Sequence, residues 1–260
     1  AEVTTAMVGG SVDAGGTMVE RPLILAEKGF GAKNLLALEN RNPLHLVMRK
    51  DHPAKEVKDL KGTKLGMTRA GSGTDLSLRA LLKDAGLQPD RDVANIAVGG
   101  VSSATAALKA GQIDGYMGGE PAGAIAVQQL KLARYFVDPR IGQGPKFLQY
   151  MTFSTLQASD KWLAANPQLA VRLVRAIVKT LKRLREDPEA AVGVGQKLFP
   201  TMDPAIIRSI VAIEKNTYSP AITEEAMRLC NQFQKQVGSV KTDIPYDKVV
   251  ATQFKHLWDQ

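Results

Sequence analysis

Apolar and polar positions fall into two rhythms along this chain. Up to about Leu156, short β-like runs at residues 35–38, 44–48, 65–68, 93–98, 113–117, 135–137 and 150–156 alternate with segments whose apolar residues recur every three to four positions. That succession predicts βαβ units on a largely parallel sheet, an α/β fold. The clearest helix is 71–86, where Leu78, Leu81, Leu82 and Ala85 stand at i, i+3, i+4 and i+7, Ser72 or Thr74 suits the N-cap and Gly86 suits the stop. Beyond Ser159 the pattern is almost wholly helical. Pro167 opens a long helix with an apolar stripe of Leu169, Leu173, Val174, Ile177, Leu181 and Leu184, and its other face carries Arg172, Arg175, Lys179, Lys182, Arg183 and Arg185. Further helices are predicted at 204–215, 223–237 and 246–258.

One pattern occurs twice. Ala6-Met7-Val8-Gly9-Gly10-Ser11-Val12-Asp13-Ala14 and Ala107-Leu108-Lys109-Ala110-Gly111-Gln112-Ile113-Asp114-Gly115 both read as a helix running through a glycine turn into a strand that ends in Asp. Each is followed by a glycine pair, Gly15-Gly16 or Gly118-Gly119, and then by an acid and a proline, Glu20-Arg21-Pro22 or Glu120-Pro121. Two similarly built lobes produce such an echo. The extended stretches 44–50 and 150–156 are the expected crossings, giving lobe I as 1–48 with 154–260 and lobe II as 49–153.

The bulk numbers narrow the function. A formal net charge of +8 is compatible with an anionic ligand or surface, but the cations are scattered among 26 acids and aromatics reach 5%, too few platforms for stacking bases, so nucleic acid is not expected as a partner. Cys230 is the single cysteine, which excludes an internal disulfide and a thiolate metal site, and His45, His52 and His256 lack metal-ligand spacing. His45 reads as a packed core residue and Cys230 as a buried helical thiol. No apolar run approaches the ~20 residues of a membrane span, and the start, Ala1-Glu2-Val3-Thr4, lacks the regions of a signal peptide.

Three strand-to-helix junctions carry the candidate chemistry: Thr68-Arg69-Ala70-Gly71-Ser72-Gly73-Thr74, Gly99-Gly100-Val101-Ser102-Ser103 and Gly118-Gly119-Glu120-Pro121-Ala122. Each combines glycine, which lets backbone approach a ligand, with a cap residue or a proline suited to a first helical turn. Free amides at a positive helix end favour an anion, and Arg69 adds a charged donor. Leu76 stands where a dinucleotide fingerprint wants a third Gly or Ala, and neither a Gly-Lys-Ser/Thr P-loop nor a Gly-x-Ser-x-Gly elbow occurs. Asp13 and Asp114 are expected to hold their own turns.

These motifs, with Leu60-Lys61-Gly62-Thr63-Lys64-Leu65-Gly66 ahead of the first loop, resemble the periplasmic solute-binding proteins of ABC importers in the nitrate, sulfonate, taurine and thiamine-precursor group. The resemblance covers residues 1 to about 137 well and the helical remainder loosely. It implies a two-lobed type II periplasmic binding protein fold with a helical C-terminal part, and, since such proteins open with a strand, helix and second strand, it implies that this N-terminal portion is missing ahead of Ala1. It implies ligand contacts at Gly16, Thr17, Ser72, Gly73, Thr74, Gly100, Ser102 and Glu120, with Glu120 better suited to an amine or hydroxyl than to an anion. The expected role is a monomeric, non-enzymatic, periplasmic or extracytoplasmic protein without cofactor or metal, whose partners are a small, anionic solute and a membrane permease. The alternatives are an enzyme on the same fold, of chorismate dehydratase or pyrimidine synthase type, and a ligand-sensing domain.

Overall fold

A computed structural model describes residues 2–259, apart from the side chains of Glu2 and Val101. Eight strands are formed: β1 Ala14–Met18, β2 Ala32–Ala37, β3 His45–Arg49, β4 Lys64–Met67, β5 Ala94–Ala97, β6 Gly115–Gly118, β7 Ala133–Val137 and β8 Ser154–Ser159. The helices are α1 Glu2–Val8, α2 Arg21–Glu27, α3 Gly73–Asp84, α4 Val101–Lys109, the single turn α5 Ala122–Ala124 and α6 Lys146–Tyr150, followed by α7 Asp160–Ala165, α8 Pro167–Glu186, α9 Pro188–Leu198, α10 Pro204–Glu214, α11 Glu224–Gln236 and α12 Tyr246–Val249. The closing helix predicted at 246–258 is divided at Val250, where the backbone is extended, and resumes as a 3₁₀ turn over Thr252–Leu257.

The chain forms two compact units: Ala1–Arg41, Tyr150–Ala191 and Glu214–Gln260 make unit 1, and Asn42–Gln149 with Val192–Ile213 makes unit 2. Unit 1 holds an antiparallel sheet in the order β1-β8-β2. Unit 2 holds a mixed sheet, β5-β4-β6-β3-β7, in which β4 runs parallel to β5 and β6 while β3 is antiparallel to β6 and β7. The sheets are therefore less parallel than the alternating pattern predicts. A periodicity reports which face of a strand is buried and says nothing about its direction.

Both copies of the repeated pattern fold alike, one in each unit. Gly10 and Gly111 take φ of 76° and 68°, and each closes its helix with a six-to-one bond, Ser11 N to Ala6 O and Gln112 N to Ala107 O, beside a five-to-two bond, Gly10 N to Met7 O and Gly111 N to Leu108 O. This is the left-handed glycine cap of a helix C-terminus, and Gly86 closes α3 in the same way. The strands begin after Asp13 and Asp114 rather than ending on them. Asp114 accepts the Lys64 amide at 2.8 Å through its carboxylate, tying the entry of β6 to that of β4.

Burial explains the helical half. Along α8 the buried side chains are Ala170, Val174, Val178 and Leu181, whereas Leu169 is exposed, so the seam is rotated from the predicted stripe towards small and β-branched residues. They pack with Leu23, Leu36 and Phe153 in the core of unit 1. Cys230 lies in the same core with no exposure, and burial pushes its thiol well up. Unit 2 has a second core around Val47, Leu108, Ile113 and Tyr116. At Gly115, in β6 opposite Met48, a Cβ would stand 2.3 Å from Val47 O and 2.4 Å from Met48 Sδ. Because a ladder carbonyl cannot step aside, Gly115→Ala is expected to destabilise unit 2 by about 2–3 kcal/mol, read as a shift in urea midpoint at unchanged slope.

Candidate functional site

The site begins at the end of β4. Thr68 Oγ1 lies 2.9 Å from Ser72 Oγ and 2.8 Å from Thr74 Oγ1, and Ser72 Oγ lies 2.8 Å from Thr74 Oγ1, so three hydroxyls form a closed triangle. Local chain chemistry builds it. Ser72, extended at φ −76°, is the N-cap of α3 and accepts the Asp75 amide at 3.3 Å while donating to Arg69 O at 2.6 Å. Thr74 is buried and accepts the Thr68 amide at 3.0 Å, which fixes the hydroxyl of a residue in the first helical turn against the strand end. Asp75, also buried, accepts the Gly71 amide at 2.8 Å and the Arg79 Nε at 2.7 Å, holding the glycine turn shut.

Thr68 also lines a cavity of about 140 Å³ within unit 2, together with Gly99, Gly100, Tyr116, Gly119 and Glu120. Gly99 turns the chain at φ +80°, and Gly100, extended, is the N-cap of α4 and, having no side chain, makes no cap hydrogen bond. The start of α4 therefore presents unsatisfied donors and the positive end of its dipole. The hydroxyl triangle stands beside one helix N-terminus and the cavity opens at another.

Glu120 forms the acidic end of this cavity, and its carboxylate is already engaged. Oε1 accepts Tyr135 Oη at 2.7 Å and Arg140 Nη1 at 2.8 Å, and Oε2 accepts the Ala124 amide at 2.9 Å. Arg140, with no side-chain exposure, also grips Asp138 through Nε and Nη2, both at 2.8 Å. His45 in β3 is completely buried; its Nε2 stands 3.9 Å from Glu120 Oε1 without a hydrogen-bond partner, and its ring meets Tyr135 edge-on at 5.1 Å. Burial, reinforced by the Arg140 charge, pushes the His45 pKa down to about 4, so the ring is neutral at pH 7. For Glu120 burial pulls upward, but coupling to His45 and Arg140 and the bonds from Tyr135 and Ala124 outweigh it and hold the carboxyl below its ordinary range. Burial pushes the Tyr135 phenol well up.

The echoing acid in unit 1 behaves oppositely. Glu20 is buried beside Thr152 Oγ1 at 2.9 Å with Arg21 at 3.6 Å, and desolvation raises its pKa.

The structure thus brings Gly100 and Glu120 to one cavity and links Ser72 and Thr74 to it through Thr68. Gly73 stands exposed at the head of α3; Arg69 is exposed, and its guanidinium makes no hydrogen bond or ion pair among the described residues; Ser102 is exposed in the first turn of α4. Gly16 and Thr17 lie on β1 of unit 1, opposite Leu156 and Thr155. Sequence reasoning missed Arg140, Asp138 and Tyr135, which no spacing connects to Glu120. Their signal was weak: an Asp-Pro-Arg turn directly after a β-like run.

A family model described as the NMT1-like family matches residues 1–196. The chain belongs to that family. Solved structures extend the likeness of this NMT1-like chain over nearly all its length. The periplasmic aliphatic sulphonate-binding protein SsuA from Escherichia coli aligns with a TM-score of 0.75 at 19% identity, over 96% of this chain and 78% of that one. A putative sulfonate ABC transporter component, the periplasmic sulfonate-binding protein SsuA from Methylobacillus flagellatus KT, aligns at 0.73 and 19%, over 98% and 78%. A mutant of DSZB, a desulfurization enzyme, in complex with biphenyl-2-sulfinic acid aligns at 0.69 and 18%, over 95% and 85%. At these identities the likeness establishes the fold, that of the periplasmic binding proteins, which the NMT1-like chain shares with binding proteins and with an enzyme. Among the described residues of the NMT1-like chain no helix is long and apolar enough to cross a membrane, and no group of three or more His, Cys, Asp or Glu is placed to hold a metal ion.

Proposed function

We propose that this protein is the solute-capturing component of an ABC importer and that it binds a small oxyanion of the sulfonate or nitrate type before passing it to a membrane permease outside the cytoplasm. The observation that carries this reading is the hydroxyl triangle Thr68–Ser72–Thr74 joined to a small cavity at the uncapped start of α4. Hydroxyls can turn their protons towards an incoming oxygen, and the α4 amides add donors and a positive dipole end without a counter-cation. Arg140 offsets part of the combined charge of Glu120 and Asp138, which lowers the repulsion of an anion. Arg69, Gly73 and Ser102 form the outer donors of the same site; Gly16 and Thr17 belong to unit 1, and the proposal rests on the loops of unit 2.

A thermal-shift screen against nitrate, sulfate, alkyl sulfonates, taurine and aromatic carboxylates tests it. A true ligand at about 100 times its Kd adds roughly 2.7 kcal/mol, several degrees in Tm. Thr74→Ala is expected to weaken binding of that ligand at least about tenfold, by the loss of one hydrogen bond to a charged group, with Thr74→Ser retaining most of it. Ser72→Ala removes a cap as well and costs about 1 kcal/mol of stability in addition. Affinity unchanged from wild type in both alanine variants would remove this loop from the site. The DSZB likeness makes one further measurement necessary: a hit that is converted to product, seen by mass spectrometry, would replace capture with catalysis.

A further inference from the structure

The solvent face of α8 carries no part of the site described above. Arg172, Arg175, Lys179, Lys182 and Arg183 are all exposed and fall within one arc of the helix, over about 15 Å from Arg172 to Lys182 at 1.5 Å per residue. Only Arg183 has a carboxylate partner, Asp187 at 2.6 Å; Arg172, Arg175, Lys179 and Lys182 make no ion pair among the described residues. The sole acid in the twenty residues of α8 is Glu186 at its end, and its first turn has none. The exposed face of α11, by contrast, interleaves Glu224 and Glu225 with Arg228 and Lys235.

Such a face works against its own helix. Arg172/Arg175, Arg175/Lys179, Lys179/Lys182 and Lys179/Arg183 are like-charge neighbours at i,i+3 or i,i+4, each a small destabilisation. Solubility alone needs net charge, not its concentration in a single row. An anion field laid against the row relieves the repulsion. Among the described residues no exposed aromatic or large apolar side chain lies between Arg172 and Glu186 to serve as the anchored core of a specific protein interface. A flat surface of mobile anionic headgroups, read by charge without insertion, matches it better.

We infer that the outer face of α8 is a docking surface for an anionic phospholipid leaflet. The assignment of this surface to a membrane rests on the importer reading above; the basic row itself does not. Each Lys or Arg near such a leaflet contributes roughly a fivefold gain in partitioning. Held by α8, the protein would diffuse along the membrane rather than through the bulk phase.

The test is co-sedimentation of the whole chain with vesicles of phosphatidylcholine alone or with about 30% phosphatidylglycerol, in low salt of about 50 mM and high salt of about 500 mM. Binding is expected to the anionic vesicles in low salt and to be lost in high salt. The pair Arg175→Glu with Lys179→Glu should cut it by at least about 25-fold, since two attractions are lost and two repulsions added. The pair Lys58→Glu with Lys61→Glu, at exposed positions of unit 2, lowers the formal net charge of +8 by the same four units and should bind nearly as wild type. The α8 pair should also keep its far-UV helical signal and melt no lower than wild type. Equal losses in the two pairs would mean that net charge, not this face, is read, and would overturn the inference. So would no binding to anionic vesicles, or binding to soluble polyglutamate without binding to vesicles, which would reassign α8 to an acidic protein. No small ligand enters the assay, so a flat solute screen and a failed vesicle assay are separate results.

Discussion

Arg140→Met is expected to cost unit 2 about 3–5 kcal/mol, the penalty for leaving buried carboxylates without their counter-charge. Arg140 has no side-chain exposure, and the two carboxylates it holds, Glu120 and Asp138, have 10% and 2%. Arg140→Lys should recover only part of the loss, because an ammonium cannot present the planar fork that grips Asp138 at both oxygens while reaching Glu120. Combining Arg140→Met with Glu120→Gln and Asp138→Asn should recover most of it by removing the orphaned charges. Urea unfolding, with hydrogen exchange at the β3 and β6 amides as the unit-specific probe, measures the effect. In the Met variant Glu120 loses the Arg140 charge that helps to hold its carboxyl down, so the deficit should shrink as pH falls. A deficit below about 1 kcal/mol at pH 7 would show that water or a rearranged loop replaces the guanidinium.

Unit 2 should also lose stability on acidification between pH 6.5 and 4, by about 3 kcal/mol, through His45. The sign follows from which state binds the proton. The folded His45 pKa is about 4 against an ordinary 6.5, so in that window the unfolded chain is protonated and the folded one is not. The stabilisation is complete above pH 6.5 and declines as pH falls to 4. Glu120 acts in the same direction at lower pH: its carboxyl is held below the ordinary glutamate value of 4.5, and its contribution is lost as pH falls through the folded value. Glu20 in unit 1 opposes both, because its raised pKa favours the folded state in acid and is lost as pH rises through it. A global melting curve would average these effects; exchange at β3 and β6 would not. His45→Gln should flatten the slope between pH 6.5 and 4 whatever it does to the absolute stability, and an unchanged slope would acquit His45.

Much of the candidate site was legible because it is local. Ser72 caps α3 with its own side chain three residues from the amide it accepts, and Gly86, Gly10 and Gly111 end helices through bonds spanning five residues. Such chemistry is written into short windows of sequence, so the strand-to-helix loops and their glycines could be named beforehand. The repeated pattern was legible for the same reason, since both copies are one helix cap followed by a strand.

Other features depend on residues far apart in the chain. Glu120 as a contact for an amine or hydroxyl was the reading of an acid in a loop; three groups already bond to its carboxylate, one of them twenty residues away in a turn with no motif. His45 was expected in the core, but not beside Glu120 with its proton affinity depressed, because desolvation and charge act through space. Strand direction followed the same rule: alternation of apolar residues marks a strand, and hydrogen-bonded neighbours chosen by the whole sheet decide whether it runs parallel or antiparallel. By itself, then, the sequence of this protein determined the α/β class, the helix caps, the three loops and the basic row of α8, all set by periodicity and by bonds spanning a few residues. The tertiary structure alone decided the mixed sheet, the joining of Thr68 and Gly100 at one cavity, and the buried cluster of Glu120, Arg140, Asp138 and His45, since Coulomb forces and desolvation depend on distance in space rather than along the chain.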